Sequence, residues 1–301
     1  MLCNLPDTGL IRFAGDDAQT FLHNQLTCDV AALAVGRSTY GAYCTPKGRV
    51  LASFLLWRTE SAYFMQLPAA LREPIERQLT KFILRSKVRT EDVTSEWVLL
   101  GASDGDAAAV AQRATKKALA GVHEAVFSPG VVAIRLPGDR CEVLLREDKA
   151  GAVVDAGWQN AGSEYWEWLD IRAGIPVITP ATQEEFVPQM VNLDLIGGVS
   201  FEKGCYPGQE IVARMHYRGT LKQRMYRAAI SGGDAPQPGD KLYSPDFGEQ
   251  ACGAVVNAAP SPQGGHELLA SLQIAAADKG SVHWKSPGGL DLKLLPLPYS
   301  I

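Results

Sequence analysis

The run Lys203-Gly204-Cys205-Tyr206-Pro207-Gly208-Gln209-Glu210 sets a thiol between two glycines and beside a lysine. Thiolate is the reactive form of cysteine, and a neighbouring cation or a helix N-terminus raises its population. The residues that follow, Gln209 to Arg214, read as a helix. Pro207 suits a first helical turn, where its missing N–H costs nothing. The glycines permit a tight backbone path that other residues resist. Burial as a small apolar residue is the ordinary fate of a free cysteine, but the polar neighbours and loop setting here point to exposure. Cys205 is therefore the candidate functional thiol, with Lys203 tuning its charge. Gly204, Tyr206, Gly208, Gln209, Glu210 and Arg214 complete the motif. Gln209 and Glu210 are expected to fix the loop by capping the helix and bonding backbone groups.

Other chemistries find less support. No G-x-x-x-x-G-K-[ST] and no G-x-G-x-x-G between a strand and a helix is present, which disfavours ATP and dinucleotide chemistry. The cysteines at 3, 28, 44, 141, 205 and 252 form no C-x-x-C, and the five histidines form no H-x-x-x-H. A resident metal site is therefore not expected. Cys205 and His216 would stand about 15 Å apart along a helix rising ~1.5 Å per residue, too far for a thiol–imidazole pair. Trp158, Tyr165, Trp166 and Trp168 read as core packing, with room for one of them to stack on a flat ligand.

The formal net charge of −4 is uneven. Lys81, Arg85, Lys87 and Arg89 lie in a segment without acids. So do Arg214, Arg218, Lys222, Arg224 and Arg227, between Ile211 and Gly233. Such local positive potential suits an anionic ligand, phosphate, polycarboxylate or RNA. No apolar run spans a bilayer, and the N-terminus lacks the basic region and apolar core of a signal peptide. A cytoplasmic location is the expectation, with no membrane partner.

A chain of 301 residues predicts more than one core. Strands are expected at Gly9–Ala14, Ser38–Thr45, Val50–Arg58, Ser61–Leu67, Val88–Val93, Trp97–Gly101, Val131–Leu136 and Cys141–Leu145. Helices are expected after Asp16-Asp17, over Leu71–Phe82, Asp106–Ala120, Lys149–Ala156 and Glu164–Ala173. The irregular interleaving favours α+β with antiparallel sheets. Val177–Ser200 reads as an ordered connection. From Leu221 the pattern becomes short strands between Gly/Pro-rich turns: Arg224–Ser231, Lys241–Tyr243, Gly253–Ala258, Glu267–Ile274 and Asp291–Pro296. That predicts a small β-barrel. The expected domains are 1–220, split near 95–130 and discontinuous, and 221–301.

The Cys205 motif resembles the K-G-C-[YF]-x-G-Q-E of the YgfZ/Iba57 family. Gln25-Leu26-Thr27-Cys28-Asp29-Val30, Tyr43-Cys44-Thr45-Pro46-Lys47-Gly48-Arg49, Ala173-Gly174-Ile175-Pro176, Pro188-Gln189 and Pro296-Leu297-Pro298-Tyr299-Ser300 agree with it in order along nearly the whole chain. The resemblance implies the aminomethyltransferase (T-protein) fold: two interwoven α+β domains and a C-terminal β-barrel around a channel for tetrahydrofolate. By position Trp166 matches a tryptophan set against the folate.

Two departures stand out. T-proteins carry an acidic pair after the strand turn, where this chain has Ala52-Ser53, and E-A-G where it has Arg172-Ala173-Gly174. Without a carboxylate to handle the folate proton, aminomethyl transfer loses its general acid/base. The resemblance thus implies a folate-binding accessory protein for iron–sulfur cluster assembly or repair in client enzymes, tRNA-modifying ones included. Cys205 would give one transient ligand to a cluster shared with a partner. Two other readings remain open: a tetrahydrofolate-dependent one-carbon transferase or demethylase, and a tRNA-binding module.

Overall fold

The computed structural model describes residues 1–105, 107–154 and 159–301. In chain order its elements begin with β1 (Leu2–Asn4), β2 (Thr8–Ala14), α1 (Ala18–Gln25), β3 (Ser38–Cys44), β4 (Val50–Arg58), β5 (Ala62–Pro68) and α2 (Ala69–Thr80). Then come β6 (Arg89–Asp92), β7 (Trp97–Ala102), α3 (Ala107–Thr115), β8 (Ala125–Ser128), β9 (Val131–Leu136), β10 (Arg140–Arg146) and α4 (Glu147–Val154). β11 (Asn160–Ala161), α5 (Ser163–Ala173) and α6 (Gln209–Tyr217) lead to the C-terminal part. That part holds β12 (Gln223–Ile230), β13 (Lys241–Tyr243), β14 (Ala251–Pro260), β15 (His266–Gln273), α7 (Ile274–Lys279), β16 (His283–Trp284) and β17 (Lys293–Leu295).

The chain divides into two compact units, and its path weaves between them. Met1–Gln25, Asp29–Tyr40 and Phe54–Trp166 make the first; Leu26–Cys28, Gly41–Ser53 and Glu167–Ile301 make the second. Strands β3 and β4 and helix α5 each pass from one unit to the other. The fold is α+β.

In the first unit, β11-β1-β7-β10-β9-β8 form a sheet that is antiparallel except for the short β1–β11 pair. Helix α3 lays Ala107, Val110 and Ala111, one turn apart, on Leu100, Ala133, Cys141 and Val143 of that sheet. A five-stranded sheet has the order β3-β4-β5-β2-β6. In the second unit, β16-β13-β14-β15-β12-β17 form an antiparallel sheet. Register shifts at Leu242/Tyr243 and Val255/Asn257 put bulges in it, which sharpen local twist and help the sheet curl. Ile230, Leu242, Val255, Leu268, Ala270, Leu272 and Trp284 fill its core. This curled sheet stands where the small barrel was expected.

Some boundaries move. The helix expected over Asp106–Ala120 stops at Thr115, whose hydroxyl bonds back to the Ala111 carbonyl, and Lys116 turns left-handed at φ 59°. The end of the Lys149–Ala156 expectation and Trp158 lie outside the described residues. Val177–Ser200 carries a 3-10 turn at Pro188–Val191. No helix among the described residues is long and apolar enough to cross a membrane.

Candidate functional site

The Cys205 loop is held from beneath by its own motif. Lys203, 8% exposed, donates from Nζ to the carbonyls of Leu26 (2.6 Å) and Cys28 (3.1 Å). Its ammonium also lies 5.1 Å from the centre of the Tyr206 ring, a cation–π contact. Lys203 thus pins the loop to the Leu26–Cys28 segment, a positioning role where its place in the sequence suggested charge tuning.

That segment is itself clamped. Thr27 donates its hydroxyl to the Gly198 carbonyl at 2.6 Å and accepts the Ala42 N–H at 2.8 Å. Its backbone carbonyl accepts from Ser200 N–H at 2.9 Å. Buried hydrogen-bonded groups of this kind are costly to disrupt, because a lost partner leaves an unsatisfied polar atom. The matching Q-L-T-x-D-V and K-G-C stretches are therefore two sides of one joint.

Tyr206 is buried beside the exposed thiol, and burial, with Cys44 and Cys28 nearby, pushes its phenol well above the ordinary range. Gly208 is the N-cap of α6, left-handed at φ 82°, and no side chain caps the helix there. Gln209 closes the turn instead: its N–H reaches the Tyr206 carbonyl and its amide donates to the Lys203 carbonyl at 3.4 Å. Glu210 is exposed on the first turn of α6 and Arg214 exposed on the last, the placement the helix dipole favours for both charges. From the Pro188-Gln189 stretch, the Gln189 amide donates to the Val212 carbonyl at 2.7 Å and ties the helix down.

Of the six cysteines, Cys205 alone is exposed; the others are buried. Burial pushes the thiols of Cys3 and Cys252 to about 11, and those of Cys44 and Cys141 to about 12. At neutral pH those four carry a negligible thiolate fraction. Titration of native protein with a thiol-reactive disulfide reagent should therefore show one fast-reacting group, lost in Cys205→Ser. Unfolded protein should show six. Two or more fast groups in the folded protein would contradict this assignment.

Trp166 belongs to the first unit and is 5% exposed. Its ring lies on β7 at Gly101, where an added Cβ would come within 2.3 Å of it. The Arg140 guanidinium stands 4.9 Å from the ring centre. Glu142 pairs with Gly101 across β10 and β7, so it shares that sheet face with Arg140. The Gln66 amide donates to the Glu142 carboxylate at 2.6 Å, and the Gln66 Oε1 is buried without a hydrogen bond. Trp166 thus sits over a buried polar cluster that aromatic spacing did not announce.

Where T-proteins carry acids, this chain makes structural contacts. Ser53 is buried, donates to the Pro176 carbonyl and accepts the Ile178 N–H, both at 2.9 Å. Both sides of its hydroxyl are occupied in holding β4 to the Ile175–Ile178 segment. Arg172 covers Trp168 at 4.8 Å, and the Trp168 indole donates to Glu267 at 3.0 Å. The closing Pro296–Ser300 stretch also finds its partner, as the Tyr299 hydroxyl donates to the Gly174 carbonyl at 2.8 Å.

The second basic run is smaller in space than in sequence. Arg224 forms a forked pair with Asp194 at 2.7 and 3.0 Å, and Arg227 pairs with Glu267. Those two charges are neutralised within the unit. Arg214, Arg218 and Lys222 remain.

A family model described as the GCVT N-terminal domain matches residues 2–127. The chain is 35% identical over 248 residues to the tRNA-modifying protein YgfZ of Photobacterium profundum, covering 80% of this chain and 73% of that protein. It is 30% identical over 306 residues to the tRNA-modifying protein YgfZ of Klebsiella pneumoniae, covering 100% and 93%. Among solved structures, the glycine cleavage system aminomethyltransferase T of Bartonella henselae superposes with a TM-score of 0.80 at 18% identity, over 99% of this chain and 85% of that one.

Proposed function

The chain belongs to the YgfZ family, and from that membership we propose a tetrahydrofolate-binding accessory protein that supports iron–sulfur cluster assembly or repair in client enzymes, tRNA-modifying ones among them. One observation carries the reading: a single exposed thiol on a firmly anchored loop, with the other five cysteines buried. Thiolate is both a nucleophile and the usual protein ligand of iron–sulfur clusters. A cluster takes about four such ligands. Among the described residues no three His, Cys, Asp or Glu side chains gather as a metal site. Cys205 therefore supplies one ligand to a passing cluster, and the client or assembly protein supplies the rest.

The folate part rests on the first unit. Gln66 Oε1 is a buried acceptor without a partner, and Glu142 and Arg140 share its neighbourhood with Trp166. A pterin offers N–H donors and a carbonyl acceptor to such a set, so the residues fit the group. Trp166, Arg140, Glu142 and Gln66 would hold it. Tetrahydrofolate, when bound, carries one-carbon units. The chain adds no carboxylate at 52–53, and the Ser53 hydroxyl is committed to the backbone, which favours an accessory role over aminomethyl transfer.

Titration with tetrahydrofolate under reducing conditions tests this half. Saturable binding is expected, with stabilisation of about 2.7 kcal/mol at ligand near 100 times Kd. Trp166→Ala should lose that stabilisation while still unfolding cooperatively without ligand. Absence of binding by the wild type would remove folate from the reading and leave the thiol part standing.

A further inference from the structure

We propose that the C-terminal end of α6 is a contact site for single-stranded RNA, in which Tyr217 stacks on an unpaired base and Arg214 and Arg218 take the flanking phosphates. The proposal deepens the tRNA side of the function above and does not depend on folate.

Three observations meet there. The first is an aromatic cluster. Phe201 and His216 stack at 3.8 Å with their planes 12° apart. The Tyr217 ring stands nearly perpendicular to both, at 4.8 Å from His216 and 6.3 Å from Phe201. Tyr217 is nevertheless 65% exposed. An isolated surface tyrosine would need no explanation, but this one is held at a fixed angle by two rings while most of its surface stays open to solvent. Rigid aromatic platforms of this kind bind bases at low entropic cost.

The second observation is charge. Arg214 and Arg218 are one helical turn apart and three and one residues from Tyr217, and both are exposed. Among the described residues neither makes an ion pair, in contrast to Arg224 and Arg227. No acid occurs from Ile211 to Gly233; the nearest acids in sequence are Glu210, one turn before Arg214 on α6, and Glu202, next to Phe201.

The third is openness. A small aromatic anion such as a folate needs a concave pocket that covers most of its surface. Here the ring and both guanidiniums are solvent-exposed, which suits a polymer that brings one base and several phosphates together. Unpaired bases are the usual targets of such platforms, since duplex RNA hides its base faces.

The test uses the full chain and fluorescently labelled 12-nucleotide RNA, unstructured or annealed to its complement, in anisotropy titrations across a salt series. Single strands are expected to bind and duplex only weakly. Tyr217→Ala should weaken single-strand binding about 10-fold, within the range for loss of one base stack, and Tyr217→Phe should retain it. Arg214→Ala and Arg218→Ala should each lower the salt slope by about 0.7, the loss of one single-strand phosphate contact. Tetrahydrofolate binding, measured on the same variants, is expected to be unchanged. Equal binding of duplex, or full affinity in Tyr217→Ala, would overturn the proposal. Loss of folate binding in Tyr217→Ala would overturn it too, by assigning the platform to the folate. Absence of folate binding in every protein, wild type included, with RNA binding as expected, would sink the folate reading alone.

Discussion

Cys205→Ala is expected to reduce the activity of iron–sulfur client enzymes to the level seen without the protein, while leaving folding untouched. The side chain is exposed, and among the described residues it makes no hydrogen bond, so its removal opens no cavity and orphans no polar group. Surface substitutions of this kind usually lie within about 0.5 kcal/mol of the wild type. The functional loss is then chemical. The other cysteines cannot substitute, because they are buried and four of them are held almost wholly as thiols. Client activity in a strain depleted of the chromosomal protein and complemented with each variant is the measurement. Cys205→Ser separates ligand strength from shape: a hydroxyl keeps the geometry and should fail nearly as badly, since a neutral alcohol is a poor iron ligand. Full client activity in Cys205→Ala would end the thiol reading, and folate or RNA binding would have to carry the function alone.

How far the site was legible differs from residue to residue. Cys205 stood out because a thiol among glycines and polar residues is chemically conspicuous within eight positions. Its anchoring was not, because the groups that hold it come from far away. The Lys203 ammonium reaches carbonyls 177 and 175 residues back, and Thr27 reaches Gly198 across 171. Lysine beside cysteine suggested a charge effect, and only the fold shows that the lysine points down into the joint. The basic run after Ile211 failed in the same way. A window of sequence shows the cations but not the acids that quench them, Asp194 at 30 positions and Glu267 at 40.

Regular elements with strong periodicity, such as β2, β4 and α2, were readable near their true bounds. Three of the very short ones were not: β1, β11 and β16 span two or three residues, too few for a period to register, whereas β13, as short, was marked by the turns around it. Helix α7 was missed for another reason. Only its first residue, Ile274, was read, as the end of the strand Glu267–Ile274, and the short Ala275–Lys279 stretch received no element. The alanines, good helix formers, were the available signal.

Gly208→Ala is expected to be the most damaging single-atom-scale change in the motif. The residue has φ 82°, a region that costs an L-residue roughly 1–2 kcal/mol. An added Cβ would also fall 2.5 Å from the Thr45 carbonyl oxygen and 2.6 Å from the Gly48 backbone. These are backbone atoms of a tight turn, closed by the Gly48 N–H bond to Thr45 at 2.9 Å, so neither neighbour can swing aside as a flexible side chain would. The loop must lift off the Pro46–Arg49 turn. That breaks the Gln209 bonds that shape the loop and strains the Lys203 pin.

A loss of at least about 3 kcal/mol follows, at the severe end for point substitutions. Gly197→Ala is the control: its φ is 78° but nothing lies within 4 Å of the added carbon, so only the backbone term of roughly 1–2 kcal/mol applies. Denaturant unfolding of both variants, read beside Cys205 thiol reactivity, measures the difference. The signature of a lifted loop is a large stability loss in Gly208→Ala with Cys44 or Cys28 becoming reactive at denaturant concentrations where the wild type still protects them. Equal losses in the two glycine variants would mean that the turn yields, and that the thiol loop is less firmly seated than its hydrogen bonds indicate.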